Sequence, residues 1–188
     1  MKAYSLLFAL SLAGCSFFGK QAPLHPRYYD PEPEAASGAV TPSGKSLRIG
    51  HVLGASHLRE KVAYHEAERE LGFYEQRRWT ERPEIYLRRA LGRELFERRG
   101  MTQIVSGVAP TLEVELTDFS EHKSPHQARA RARVLLVDAR TVRFEQTFEA
   151  SVAIPGDDFD PVAFSKALAQ LVDQIGERVL NELPAPAP

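Results

Sequence analysis

The period of the hydrophobic pattern changes along the 188-residue chain, and each change marks a predicted element. Apolar and polar residues alternate over 47–53, which predicts a half-buried first strand. Two aromatic and β-branched runs, 62–64 and 71–74, flank a charged stretch at 66–70. They favour a hairpin, with a helical connection as the alternative because the stretch is rich in helix-forming residues.

Two segments have the spacing of amphipathic helices. Thr80 is a candidate N-cap for the first, which ends before Gly100, and Asp160 followed by Pro161 begins the second, which continues to about Leu183. Their core-facing stripes comprise Leu87, Ala90, Leu91 and Leu95 in the first helix and Phe164, Leu168, Leu171, Val172, Ile175 and Val179 in the second.

Three runs, 112–116, 128–134 and 142–152, alternate in the manner of neighbouring strands with one buried face. On the polar face the middle run carries Arg129, Arg131 and Arg133, while its neighbours carry acids that include Glu115, Glu145 and Glu149. The arginines suggest either a site for phosphate or anionic lipid, or salt bridges across the sheet. The matching acids favour salt bridges, so Arg131 is expected to face one of these three glutamates.

The buried face of the middle run is a row of alanines, Ala128, Ala130 and Ala132, which implies that a helix packs closely against it. The sequence therefore predicts an α+β fold, an antiparallel β-sheet with two amphipathic helices packed on one face as a two-layer sandwich. We expect a signal peptide at 1–14, an acylated N-terminus and Pro-rich tether at 15–45, the domain at 46–183 and a disordered tail at 184–188.

Composition and charge narrow the function classes. A formal net charge of -1 gives no bulk attraction for nucleic acid. The six histidines stand singly, and Pro125 lies between His122 and His126, so no metal site is predicted. The chain has neither a G-x-S-x-G elbow nor a phosphate-binding glycine loop. We therefore expect no catalytic residue, no enzyme activity and no cofactor other than a covalent lipid.

The N-terminus has the plan of a secretory signal, with Lys2 followed by an apolar stretch up to residue 12. It ends in Leu-Ala-Gly-Cys15, which resembles the bacterial lipobox, where the cysteine is acylated. The alternative is an ordinary signal peptide with an incidental thiol. Because Ser16 rather than Asp follows Cys15, the sorting rule of proteobacterial lipoproteins favours the outer membrane, with the domain in the periplasm. No later stretch reaches the roughly eighteen apolar residues of a membrane span.

The run from Val62 to Leu95 carries a resemblance. Its motifs are Val62-Ala63-Tyr64, Phe73-Tyr74 and Arg78-Trp79-Thr80-Glu81, then Pro83 and the leucine stripe, with Tyr28-Tyr29 before them and Asp118-Phe119 after them. In this order the motifs resemble the ABC-type transport auxiliary lipoprotein family. His65 departs from the family, in which many members have Arg after the Tyr.

The resemblance implies a non-enzymatic, periplasm-facing component of an ABC transport system that moves phospholipid or other hydrophobic solutes. Its implied partners are the membrane, an MCE-domain periplasmic protein and the ABC permease, with a second copy of the chain as a further candidate. One alternative is a structural or assembly lipoprotein of an outer-membrane complex. Another is a direct lipid carrier, which requires a deep apolar cavity that the close packing implied by the alanine row argues against.

The first helix also has a second, narrower apolar patch formed by Ile85, Gly92 and Phe96. Glycine weakens a helix interior, which is explained if another backbone approaches closely at Gly92. We expect the patch to contact a second copy or the MCE partner. The alternative is that a loop of the same chain covers it, such as the one that carries Tyr28 and Tyr29, for which docking on the domain or the membrane interface is expected.

Overall fold

The computed structural model describes residues 24–33, 40–67 and 69–184. The strands are β1 (Arg27–Tyr29), β2 (Ser46–Gly54), β3 (Lys61–Ala67), β4 (Glu70–Trp79), β5 (Thr102–Gln103), β6 (Thr111–Lys123), β7 (His126–Asp138) and β8 (Thr141–Ala153). The helices are α1 (Pro83–Gly92), which continues as a π-helical segment (Arg93–Arg98), and α2 (Pro161–Glu182). Within the described residues, neither helix is long and apolar enough to span a bilayer.

Strand β6 organises the eight-stranded sheet. It pairs with β7 on one side, and on the other side with β2 and then β3. The sequence prediction of an α+β, two-layer fold is confirmed, but the sheet is mixed rather than wholly antiparallel. The hairpins β3–β4, β6–β7 and β7–β8 are antiparallel, whereas β1–β4, β2–β5, β2–β6 and β3–β6 are parallel. Local alternation predicts hairpins, but it carries no information on parallel pairing between distant segments.

Both helices pack on one face of the sheet and contact each other, α2 over β7 and β8 and α1 over β2 and β6. The three alanines of β7 are fully buried beneath α2, as predicted. The centre of this core is aromatic: the ring centroid of Trp79 lies 5.3 Å from that of Phe119 and 5.0 Å from that of Phe164. Trp79 itself is 1% exposed.

Helix α2 follows the sequence prediction closely. The Asp160 carboxylate accepts a hydrogen bond from the Val162 N–H at 2.9 Å, and Pro161 occupies the first turn, where its missing N–H has no cost. All six residues of the predicted core stripe are buried. The local cap and the 3.6-residue period were therefore sufficient to place this helix.

The predicted N-cap of α1 is wrong. The helix begins at Pro83, and the N-cap position is Arg82 in an extended conformation without a side-chain cap. The Thr80 hydroxyl instead lies 2.6 Å from the hydroxyl of Tyr86, a fully buried side chain that also accepts from the Glu81 N–H. Pro83 fixes the helical φ at the start, so the helix forms without the threonine cap. The predicted core stripe of α1 is buried as expected.

Strand β2 shows how a bulge changes burial. Its register to β6 shifts between Ile49 and Val52, which reverses the alternation of inward and outward side chains. Leu47 is fully buried, but Leu53, predicted to share its face, is 58% exposed. The sequence pattern was correct up to the bulge and inverted beyond it.

The folded part of the chain begins before residue 46. Strand β1 pairs with β4, Pro31 is buried, and Glu32 forms salt bridges with Arg89, at 2.6 Å, and with Arg93. Tyr29 docks on the domain with its ring 4.9 Å from that of Phe159. Residues 27–33 therefore belong to the domain and not to the tether at 15–45. Their proline-rich composition conceals a three-residue edge strand.

Candidate functional site

The predicted lipid-attachment residue, Cys15, lies outside the described residues, so its acylation stays a prediction. The description of the N-terminal region starts at Leu24, three residues before β1. The tail at 185–188 also lies outside the described residues.

The structure brings together two of the three residues of the predicted partner patch. Gly92 and Phe96 line an open groove beside the edge of the sheet, together with Ile49 and Gln103, whereas Ile85 is 37% exposed outside its lining. The π-helical segment begins at Arg93 and widens the turn, so positions after Gly92 no longer follow the spacing of an α-helix. Phe96 is accordingly half-buried against the core.

Three arginines of α1 and its π-helical extension line the same groove: Arg88, Arg89 and Arg93. Arg89 and Arg93 are paired with Glu32, and Arg88 donates to the Gly50 carbonyl at 2.9 Å. Glu97 lines it as well, so the groove has an apolar floor between charged walls, and Glu32 of the N-terminal segment neutralises part of the arginine charge.

Replacing Gly92 by Ala tests whether this groove is open. Gly92 has φ -59°, and apart from its own helix backbone no atom of the described residues lies within 4 Å of the position that a Cβ would occupy. The variant Gly92→Ala should therefore raise the free energy of unfolding by about 0.5 to 1 kcal/mol through helix propensity. Urea denaturation followed by circular dichroism measures the change.

The matched control is Gly176 in α2. A Cβ there would lie 2.6 Å from the Arg99 Nε and 2.9 Å from the Glu94 Oε1, which form a salt bridge. Gly176→Ala should therefore lower the free energy of unfolding by about 1 to 3 kcal/mol. A destabilised Gly92→Ala protein would contradict the open groove.

The outer face of the sheet carries the predicted acid–base ladder. The Arg131 Nε donates to Glu149 at 2.6 Å, the Arg133 Nε donates to Glu145 at 2.8 Å, and the Arg131 side chain is 40% exposed. The prediction that Arg131 faces one of the three glutamates is confirmed, with Glu149 as the partner. The arginine row is thus occupied by neighbouring carboxylates.

Removing Arg131 should have little effect. Because the pair is half-exposed, Arg131→Ala should cost about 0.2 to 1 kcal/mol in the free energy of unfolding and leave binding to anionic vesicles unchanged. The comparison is with Arg133→Ala, whose pair is more exposed and should cost no more. A large loss of vesicle binding by the Arg131 variant alone would instead indicate an anion site.

Beyond a second bulge, β6 carries a buried polar cluster on the same outer face. The register to β7 shifts between Leu116 and Asp118, and Asp118 is 5% exposed. Its carboxylate accepts hydrogen bonds from the Ser120 hydroxyl at 2.5 Å and the Arg129 Nε at 2.7 Å, and lies 3.2 Å from the His122 Nε2. Burial raises the pKa of Asp118, but these hydrogen bonds and the charge of Arg129 outweigh it and lower the pKa to about 2.

His65 joins this cluster from β3. Its ring stacks on His122 with centroids 4.6 Å apart, burial lowers its pKa, and its Nδ1 is buried without a hydrogen-bond partner among the described residues. Potential metal-ligand atoms of His65, Asp118 and His122 lie within 4.8 Å of one another. These histidines stand singly in the sequence, and strand pairing brings them together. A cation here would compete with the Arg129 guanidinium for the same Asp118 oxygen, so the geometry favours an internal ion-pair network.

A second polar cluster surrounds Glu121, which is fully buried. It accepts from the Tyr74 hydroxyl at 2.8 Å, the Lys123 ammonium at 2.5 Å and the His126 Nε2 at 2.8 Å. Burial raises the pKa of Glu121, but these hydrogen bonds lower it by more, so the pKa lies below its ordinary value. The His126 Nδ1 also donates to the Gly156 carbonyl at 2.7 Å. Through this contact His126 ties the loop after β8 to the sheet.

Sequence reasoning missed both clusters because it ended the strand near residue 117. The available signal was the continued alternation of Asp118, Ser120 and His122 around Phe119, in a chain that reverses at Pro125. These three polar side chains lie on the outer face of the sheet, and the neighbouring strands bury them there.

Known proteins are similar to this chain over most of its length. The family model described as "ABC-type transport auxiliary lipoprotein component" matches residues 29–176. A crystal structure of a protein from Xanthomonas campestris has a TM-score of 0.71 at 18% identity and covers 83% of this chain and 96% of its own. A hypothetical protein from Chlamydia trachomatis has a TM-score of 0.55 at 9% identity, with coverages of 73% and 96%. These structural likenesses concern the fold. Comparison with curated protein sequences finds no match.

Proposed function

Since the chain belongs to the ABC-type transport auxiliary lipoprotein family, we propose that it serves a transport system for phospholipid or other hydrophobic solutes as a non-enzymatic component. The system would comprise an ABC permease and an MCE-domain periplasmic protein. The observation that carries this proposal is the family match, which spans the folded domain from β1 into α2. It agrees with the lipobox at Cys15, which places a soluble domain beside a membrane.

The proposed anchor is an acylated Cys15 in the outer membrane, with the domain in the periplasm. The lipobox supports acylation, and Ser16 supports outer-membrane sorting under the proteobacterial rule. Acyl chains contribute about 0.8 kcal/mol per buried methylene, so two or three chains hold the protein at the membrane without a spanning helix.

The packing of the interior supports an adaptor role over direct lipid carriage. Ala128, Ala130 and Ala132 are fully buried against α2, and Trp79 packs against aromatic rings in the core. An acyl chain needs an apolar cavity of several hundred Å³ inside the fold. The groove at Gly92 and Phe96 is on the surface instead, where it suits a contact with a protein.

The test is co-purification. The tagged full chain is produced with the MCE-domain protein and permease of the same cell, extracted in mild detergent and captured. We expect both partners to elute with it, and Gly92→Trp, which fills the groove, to reduce capture while Arg131→Ala does not. If the wild-type protein captures neither partner although both are expressed, the transport role is wrong and an assembly role is favoured.

A further inference from the structure

We propose that the edge of the sheet formed by β1 rests on the phospholipid surface to which the protein is anchored. This membrane edge consists of Leu24, Arg27 and Tyr28, with Arg77 and Arg78 on the adjacent strand β4. The inference rests on the proposed acylation of Cys15, and it adds which face of the domain meets the lipid headgroups.

The chain between the proposed anchor and the domain is short. Because β1 begins at Arg27, only residues 16–26 separate Cys15 from the first strand of the domain. Eleven residues span at most about 40 Å even when fully extended. A tether that lasted to residue 45 would have allowed any face to turn to the bilayer. The short connection instead holds β1 closest to it.

Large apolar and aromatic side chains are exposed at this edge. Leu24 is 59% exposed and Tyr28 is 63% exposed, in contrast to Tyr29, which packs on Phe159. β1 is at one end of the strand order and has only β4 as a neighbour among the described strands. Leucine and tyrosine at the water–lipid boundary bury apolar surface while the phenol hydroxyl stays with the headgroups.

Three arginines concentrate positive charge at this edge. The parallel register places Arg27 opposite Arg77 and Tyr28 opposite Arg78. Like charges directly opposite one another destabilise a sheet unless an anion lies between or beside them. Arg77 is partly compensated, because its guanidinium lies 4.1 Å from the centroid of the Tyr74 ring and 4.0 Å from Glu121.

Arg27 and Arg78 remain without a carboxylate partner within 4.0 Å among the described residues, and Arg78 donates only to backbone carbonyls of β4. Guanidinium groups bind phosphate oxygens through paired hydrogen bonds. A phospholipid surface supplies these phosphates at the place where the tether holds the edge, so the charge and the connection point to the same occupant.

The experiment uses the full chain, produced in cells with its signal, purified and reconstituted in vesicles of phosphatidylethanolamine and phosphatidylglycerol. When Cys15 is acylated, an introduced cysteine is the only free thiol. A spin label is placed at Tyr28→Cys or, as the matched control, at exposed Thr147→Cys on β8, the opposite edge of the sheet. Collision with oxygen and with a soluble nickel chelate reports contact with lipid.

We expect the label at position 28 to gain oxygen collisions and lose nickel collisions on reconstitution, with no change at position 147. Arg27→Glu with Arg78→Glu should abolish the protection at position 28, while Arg140→Glu in the β7–β8 turn should not. An acylated protein that floats with vesicles but shows equal nickel access at both positions overturns the proposal and leaves the anchor intact.

Two further outcomes also count against it. Protection at position 28 that appears only when the MCE-domain protein is added assigns the edge to a protein partner. An intact mass without acyl groups, together with a protein that fails to float, overturns both the anchor and the orientation. Mass spectrometry of the same sample separates this outcome from a failure of the orientation alone.

Discussion

The Cys15→Ser protein is expected to be absent from the outer-membrane fraction. Serine has no thiol to acylate, so the protein loses the chains that bury apolar methylenes in the bilayer. Density-gradient fractionation with immunoblotting measures the distribution, and intact mass spectrometry shows whether the wild-type protein carries the lipid. We expect nearly complete loss from the outer-membrane fraction, because the acyl chains on Cys15 are the proposed anchor.

The matched control is Ser16→Asp, which leaves Cys15 in place. It should stay membrane-bound but move to the inner-membrane fraction if the proteobacterial sorting rule applies to this chain. A Cys15→Ser protein that still fractionates with the outer membrane would show that the cysteine is not the anchor and would favour an incidental thiol.

Replacing Asp118 by Asn should lower the free energy of unfolding at pH 7 by about 3 kcal/mol, the low end for breaking a buried ion pair, because the Arg129 side chain retains 20% exposure. The carboxylate that accepts from Ser120 and Arg129 becomes a neutral amide, and the guanidinium loses its counter-charge. Urea denaturation of both proteins gives the difference in the free energy of unfolding.

The difference in the free energy of unfolding between wild type and Asp118→Asn should become smaller at low pH. The pKa of Asp118 is about 2 in the folded protein against an ordinary value of 3.8, so ionisation stabilises the folded state above pH 4 by about 2.5 kcal/mol. This contribution is lost as pH falls through 2, and the two proteins should approach each other in stability there. Glu149→Gln, in the half-exposed ladder, should differ from wild type by less than about 1 kcal/mol at every pH. If the stability difference between wild type and Asp118→Asn stayed constant from pH 6 to pH 2, the lowered pKa of Asp118 would be contradicted.

Local sequence signals were sufficient to locate both helices and the hairpins, although not the N-cap of α1. Asp160 and Pro161 start α2 where the sequence places them, and the alanine row of β7 indicates the helix above it. These features depend on residues within one or two turns, or on a simple alternation, so one sequence is sufficient to predict them.

Features that depend on long-range pairing could not be predicted in this way. Strand β1 is only three residues long and pairs in parallel with β4, so a proline-rich composition conceals it. The bulge in β2 exposes Leu53, and the bulge in β6 turns Asp118 to the outer face, where side chains of the neighbouring strands bury it. The π-helical segment after Gly92 separates Ile85 from the groove that Phe96 lines, because a helical wheel assumes a constant turn. Cys15 is the opposite case, because it lies outside the described residues and is identified as a lipid-attachment residue from the sequence alone.

Trp79 is the only tryptophan of the chain, and it lies at the point where β1, β4, β6 and α2 meet. Its indole is 1% exposed, with the Phe159 ring centroid 6.0 Å from its own and Tyr29 opposite it in the register of β1 and β4. The protein thus contains its own fluorescent reporter, with emission that should be blue-shifted in the folded state and red-shifted when the core opens. Because the N-terminal segment forms one wall around it, release of that segment alone should change the emission before the far-ultraviolet signal of the helices changes.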